Sequence, residues 1–349
     1  MYRNFAIKLR VRNKKCYIAL VLDDKRKMEV SVEMVVTQLQ LSSYVAFAIF
    51  LVVLLAKAKK WANMPLHLRW ELYPVPHEPE HHYGGSYMEY VEWWKRPRKT
   101  TLAGELKELL MEMLFIKRVF EYKRPLWLTT YPFHAGIYLI LAWFALLFVG
   151  GLTEAYARID IPSEHPWAML IYYLILITGG LGIILGTLGC LGVLLYRLSD
   201  YDLRKYTAGV EYLNLVFILV VYVLGAIAWL TFDRDFSIAR AYMTSLVSFG
   251  SIAAPELSNV TLAHVVLLEL LFIYIPFTKM SHFVGKYFTF HKVLWDDEPN
   301  FRGSEIEKRV REVLGYRISW DSPHITPGRT WAEEALKPTK LDTPKRWEP

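Results

Sequence analysis

Five stretches of the chain are apolar from end to end, and the sequence between them is charged, aromatic or Pro-rich. Met34–Ala56, Pro125–Thr153, Pro166–Tyr196 and Tyr212–Phe232 carry no charged residue, and Asn259–Thr278 carries one, Glu269. Crossing a hydrocarbon core of ~30 Å takes about 20 apolar residues in a helix. A single buried helix of a soluble protein can be apolar on every face, but five in one chain point to a bilayer. The expected fold is an all-α integral membrane bundle of five transmembrane helices. Around it lie a basic N-terminal extension (1–33), a loop segment (57–124) and a C-terminal tail (286–349), with four of the spans grouped in 125–285.

The connecting segments add detail. Residues 102–120 mix Leu, Met and Phe with Lys and Glu, which predicts an amphipathic helix on the membrane face or on a partner. Gly84-Gly85 marks a turn. Ser304-Glu305-Ile306-Glu307 has the spacing of a capping box and Gly315 suits a helix stop, predicting one short helix after the fifth span. From Asp321 to Pro349 the tail is Pro-rich with few aliphatic residues, so it should stay mobile or lie along another subunit. In the third span Gly179, Gly182, Gly186 and Gly189 fall within one narrow face, a stripe that lets a second helix or a flat macrocycle approach the backbone. Trp143, Trp167 and Trp229 lie toward one common end of their spans, where indoles favour the headgroup region.

Charge orients the bundle. Segments 57–133 and 197–210 hold thirteen and three Lys/Arg, whereas 154–166 and 233–262 hold one and two. The excess of basic residues marks the cytoplasmic side, which places 57–133 and the tail inside and makes this a multi-pass protein of the cytoplasmic membrane. Residues 1–33 conflict with that scheme, having nine Lys/Arg against four Asp/Glu on the side assigned as external. They lack the continuous apolar core of a signal peptide. Either they form a basic extension or translation begins at Met34; the second reading is preferred.

Only Cys16 and Cys190 are present, so a cluster needing four thiolates cannot be housed here, and no CxxCH offers covalent haem attachment. Any redox centre must use other ligands, and histidine is the available supply. His77, His81 and His82 sit in a Pro- and Glu-rich loop without a fourth ligand at useful spacing, and read as solvated. His134 opens the second span, while His264 and His282 bracket the fifth. Eighteen residues of unbroken helix would put His264 and His282 on one face, about 27 Å apart. That suits two haems stacked across the bilayer, since neutral imidazole is a common axial ligand. His134 and His282 share the cytoplasmic level and are expected to ligate one iron from opposite sides.

These residues also carry a resemblance. Phe133-His134-x-Gly136, with His264 and Pro276-Phe277-Thr278-Lys279-Met280-x-His282, resembles the cytochrome b (gamma) subunit of respiratory nitrate reductase over roughly 125–285. Leu68-Arg69-Trp70-Glu71-Leu72-Tyr73-Pro74-Val75-Pro76-His77-Glu78, with Tyr83-Gly84-Gly85 and the extended tail, resembles the membrane cytochrome of the sulfite-reduction-associated complex and of the heterodisulfide-reductase-like menaquinol oxidoreductase, over most of the chain from Met34. The resemblance implies five spans, two b haems, and electron exchange between menaquinone in the membrane and an iron–sulfur subunit docked on the cytoplasmic face. His134, His264 and His282 match as haem iron ligands. The second-span histidine of the nitrate reductase subunit is missing, because Ala142-Trp143-Phe144-Ala145-Leu146-Leu147 contains none. Either the outer haem is missing, or His264 pairs with a residue elsewhere, for which His165 is the leading candidate and Met169 a weaker one.

A carboxyl group in mid-membrane suggests function by default. Glu269 lies ~140° around its helix from His264 and either relays a proton released by quinol or stays protonated against a neighbouring helix. The expected function is a haem b-carrying, menaquinol-oxidising subunit of a larger complex. The alternative is a redox-inert anchor or transporter whose histidines pack or bind substrate.

Overall fold

The computed structural model describes residues 14–64, 90–97, 101–250, 257–293, 301–322 and 325–337. Among them the regular structure is helical, with two isolated β-bridges. Five helices are long and apolar enough to cross a membrane, at Met34–Ala62, Arg124–Ala157, Pro166–Ser199, Gly209–Phe232 and Asn259–Phe277. These are the five expected spans, so the chain is an all-α, multi-pass membrane protein. The histidine-rich loop and the last twelve residues of the tail lie outside the described residues.

Two compact units divide the chain. The first holds residues up to Val53 together with Ile116–Thr278. Its centre is the hairpin of α4 (Arg124–Leu152) and α5 (Pro166–Ser199). A Cβ on Gly136 would lie 2.3 Å from the Gly186 nitrogen, one on Gly189 would lie 2.2 Å from the Phe133 nitrogen, and one on Gly182 would lie 3.0 Å from Ile140. The glycine stripe read from the sequence is therefore covered by a helix rather than by a macrocycle. Partner numbers fall along α5 as they rise along α4, so the two helices run antiparallel, backbone to backbone, at the point where side chains would have kept them apart.

We call the side bearing the 158–165 connection and the 233–236 turn the upper side. There, Leu147, Ile161, Ala168, Ile171, Ile175, Ile183 and Phe236 form one core; Phe133, Cys190, Val193 and Leu215 form a second, lower one. Helix α7 (Gly209–Phe232) ends at Asp233, whose carboxylate accepts from Ile238 N (2.9 Å) and Ala239 N (3.0 Å) and so opens α8 (Ser237–Ser248). A helix in the 233–262 connection was not expected. It lies over the top of α4, where a Cβ on Gly151 would meet Val247 and Thr244 at 3.1–3.2 Å. Phe236 stacks on Trp229 at 5.9 Å and meets Trp143 edge-on at 5.2 Å. Trp143 is thus turned into the core, while Trp229 Nε1 donates to the Arg234 carbonyl and stays at the rim.

Helix α9 (Asn259–Tyr274) does not continue to His282. Pro276 lacks the N–H that would extend the ladder and its ring crowds the preceding turn. A 3₁₀ turn follows at Ile275–Phe277, Thr278 is extended, and a second 3₁₀ turn spans Lys279–Ser281. His282 then opens a new helix, α10 (His282–Val293). The expected shared face and ~27 Å separation of His264 and His282 assumed an unbroken α-helix, and that premise does not hold.

The second unit comprises Leu54–Phe115 and the residues from Lys279 onward. It contains the end of α1 (Lys14–Ala62), α2 (Leu102–Phe115), α10, α11 (Glu305–Leu314) and α12 (Trp331–Ala335). The amphipathic segment read over 102–120 is present as α2, followed in the first unit by the short α3 (Lys117–Tyr122). Within the second unit Lys286 pairs with Glu112 at 3.3 Å, and Trp61 packs on Phe288. Ser304 caps α11 by accepting from Glu307 N (3.2 Å), but the Glu307 carboxylate accepts from Gly303 N instead of closing the box on Ser304. The tail holds more structure than its composition suggested. Ile318 exchanges hydrogen bonds with Arg329 and Gly328 (2.8 Å each) and is buried, and Thr330 with Glu333 forms a full capping box on α12.

Candidate functional site

His134 sits half-buried on α4, two residues from the Gly136–Gly186 crossing that fixes its backbone. Its Nδ1 lies 2.8 Å from the Thr130 carbonyl. A carbonyl can only accept, so Nδ1 carries the hydrogen and the basic lone pair of the neutral ring is on Nε2. Phe133 and Tyr138 flank the ring, at 5.4 and 6.4 Å between centroids. His282, in the other unit, is held the same way: its Nδ1 donates to the Lys279 carbonyl at 3.1 Å. Metal-ligating histidines are characteristically anchored through the nitrogen that does not bind the metal. Both rings therefore fit axial ligation through Nε2.

His264 is different. Its ring lies in a notch on α7, where a Cβ on Gly225 would stand 2.8 Å from the imidazole Cε1. Its Nδ1 is buried without a hydrogen-bond partner. Leaving a buried polar atom unpaired costs about 1–3 kcal/mol, a cost that a bound group would relieve. This too fits a ligand role, although the same notch fits a ring that only packs.

His165 is the N-cap of α5 and accepts the Trp167 N–H on its Nδ1 at 3.2 Å. In that tautomer Nε2 bears the hydrogen, so the ring offers no lone pair elsewhere while the cap is made. Met169, one turn further on, is exposed. Among the described residues no hydrogen bond or ring contact joins His165 to His264, and no group of three or more His, Cys, Asp or Glu is placed to hold a metal ion. A haem needs only two such side chains, so this constrains a bare ion rather than a haem.

No protein-family model, curated protein or solved structure matches the chain.

Glu269 is on α9, ten residues from its upper end, or about 15 Å down the span. Ser43, on the first span, donates to Glu269 Oε1 at 2.5 Å, and its Oγ lies 2.9 Å from the Tyr242 hydroxyl on α8. Around this chain Gln40 donates to Ser245 Oγ (2.7 Å) and to the Gly250 carbonyl (3.2 Å), and Tyr44 donates to the Leu246 carbonyl (2.6 Å). Burial pushes the Tyr242 hydroxyl up to about 12, despite the opposing Ser43 hydrogen bond. It keeps its proton throughout the physiological range. Ser43 and Tyr242 had no sequence signal, since a single Ser or Tyr in an apolar segment is unremarkable and their partners lie 199 and 226 positions away from Ser43.

Proposed function

We propose that this chain is the haem b-carrying membrane subunit of a menaquinol oxidoreductase, passing electrons between menaquinol and a cytoplasmic iron–sulfur subunit. The observation that supports it most is the matched anchoring of His134 and His282, each ring donating Nδ1–H to a main-chain carbonyl three or four residues back. Haem, when bound, would supply the one-electron carrier that the side chains lack. The Gly136–Gly186 crossing holds the His134 backbone, and His134 and His282 would hold the iron of one haem. His264 would serve a second centre, with His165 as its candidate partner once released from its cap. Glu269 would take up a proton that hydroquinone oxidation sets free. The 57–124 segment and the tail would dock the iron–sulfur subunit on the cytoplasmic face of the cell membrane, following the asymmetry of Lys and Arg.

The rival reading, a redox-inert anchor or transporter, is favoured by the capping role of His165 and by the seat of His264 in the Gly225 notch. A purified preparation decides between them. A dithionite-reduced b-type spectrum is expected, with His134→Ala and His282→Ala each removing the same component and His264→Ala sparing it. A colourless preparation would sink the haem reading, and loss of different components in the first two variants would overturn the pairing.

A further inference from the structure

Glu269, Ser43 and Tyr242 come from three helices, the first span lying 199 or more positions before the other two at these contacts, and they form one unbroken line of oxygen atoms. Polar groups inside a bilayer are costly and face partners or a pathway. Beyond the Ser43–Glu269 bond the line continues to a hydroxyl on α8, the helix that lies over the upper end of α4. We infer that Ser43 and Tyr242 form a proton outlet that connects the mid-membrane carboxyl of Glu269 to the upper surface through α8.

The step conserves atoms. Protonated Glu269 gives its proton to Ser43 Oγ, Ser43 passes its own hydrogen to the Tyr242 oxygen, and Tyr242 releases the hydrogen it held. Each hydroxyl ends with one hydrogen, and Glu269 is left a carboxylate able to accept another. As shown, Ser43 donates toward Glu269, the orientation that the line has once the proton has passed along it. Turning the two hydroxyls resets the line. Tyr242, half-buried and protonated at neutral pH, acts as a hydroxyl relay and never needs to become a phenolate. Only the identity of the incoming proton, one released by a hydroquinone, rests on the proposed function.

The test needs neither haem nor quinol. The full chain is reconstituted in lipid, and the carboxylic C=O band of Glu269 is identified in the infrared by its disappearance in Glu269→Gln. Under conditions in which that band is present, the buffer is switched to D2O and the downshift of the band is timed. A positioned proton-transfer group is worth roughly 10²–10⁴-fold, so Ser43→Ala and Tyr242→Phe should each slow exchange by about a hundredfold. Ser43→Thr, which keeps the hydroxyl, should exchange like the wild type. Tyr44→Phe removes a bond at the same helix interface without touching the line, and should also exchange normally. Wild-type exchange in Ser43→Ala, or equal slowing in Tyr44→Phe or Ser43→Thr, would overturn the outlet. A colourless protein that still shows the expected exchange pattern would remove the quinol reading and leave the outlet standing.

Discussion

Replacing Gly136 with Ala tests a backbone-to-backbone contact between α4 and α5. The added Cβ would stand 2.3 Å from the Gly186 nitrogen, 2.5 Å from its Cα and 3.0 Å from the Gly182 carbonyl oxygen. All three are backbone atoms, so no rotamer change can relieve the clash. Restoring ordinary contact requires α4 and α5 to part by about 1 Å, and forcing one methyl group into a packed site costs roughly 1–3 kcal/mol. At about 1.4 kcal/mol per tenfold, that lowers the folding equilibrium roughly 5–150-fold. Gly150→Ala, on the same helix, is the control, because its Cβ would find its nearest neighbour at an ordinary 3.5 Å. Gly209→Ala is a second control, with nothing within 4 Å. Reversible unfolding in mixed SDS micelles, followed by helical signal, should show Gly136→Ala destabilised and both controls near the wild type. If Gly136→Ala matches Gly150→Ala, the backbone-to-backbone crossing is not a feature of the folded protein. Because His134 is two residues away, the same variant should weaken whatever that ring binds.

His165→Ala removes a helix cap and should cost about 0.5–2 kcal/mol in the same assay, whereas His165→Asn should keep the cap; loss of haem absorbance in the Asn variant would assign the ring to iron instead. Asp200 caps α6 (Tyr201–Tyr206), and the Leu203 N–H bond, aided by Lys123, holds its carboxyl below the ordinary 3.8. A lowered folded-state value means that its contribution is complete above 3.8 and is lost as the pH falls through the folded value. Stability measured from pH 5 down to about pH 3 should therefore drop more steeply in the wild type than in Asp200→Asn, and parallel curves would refute the assignment.

The spans were legible because about 20 apolar residues in a row have few other uses. The glycine stripe was legible as a close-approach surface, but the sequence could not say that Phe133, Gly136 and Ile140 would fill it rather than a ring system. Pro276 was visible from the start, yet counting residues from His264 to His282 passed over it as though the ladder were intact. Helix α8 was hidden because its apolar contacts with Gly151 depend on where α4 ends. Of the candidate site, the histidines could be named from sequence, since His is scarce in apolar spans. Their ring orientations could not, because Thr130 and Lys279 contribute main-chain carbonyls that carry no residue signature. Ser43 and Tyr242 were illegible for a related reason, as their meaning arises only from Glu269.

The polar contacts of the first span constrain how the bundle is made. Gln40, Ser43 and Tyr44 reach their partners 199 to 226 positions later in the chain. The first of these five spans to be synthesised is thus among the last of them to be docked. Until the fifth span and α8 have been synthesised, it waits in lipid with an amide and two hydroxyls unmatched by these groups, which favours retention beside the insertion machinery over free diffusion. The α4–α5 hairpin, joined by a short connection and packed glycine to backbone, can close as soon as its second helix is in the membrane. Assembly of the five spans therefore starts at the α4–α5 hairpin, and the Met34–Ala62 span acts as a late-closing seal although it is made before the other four.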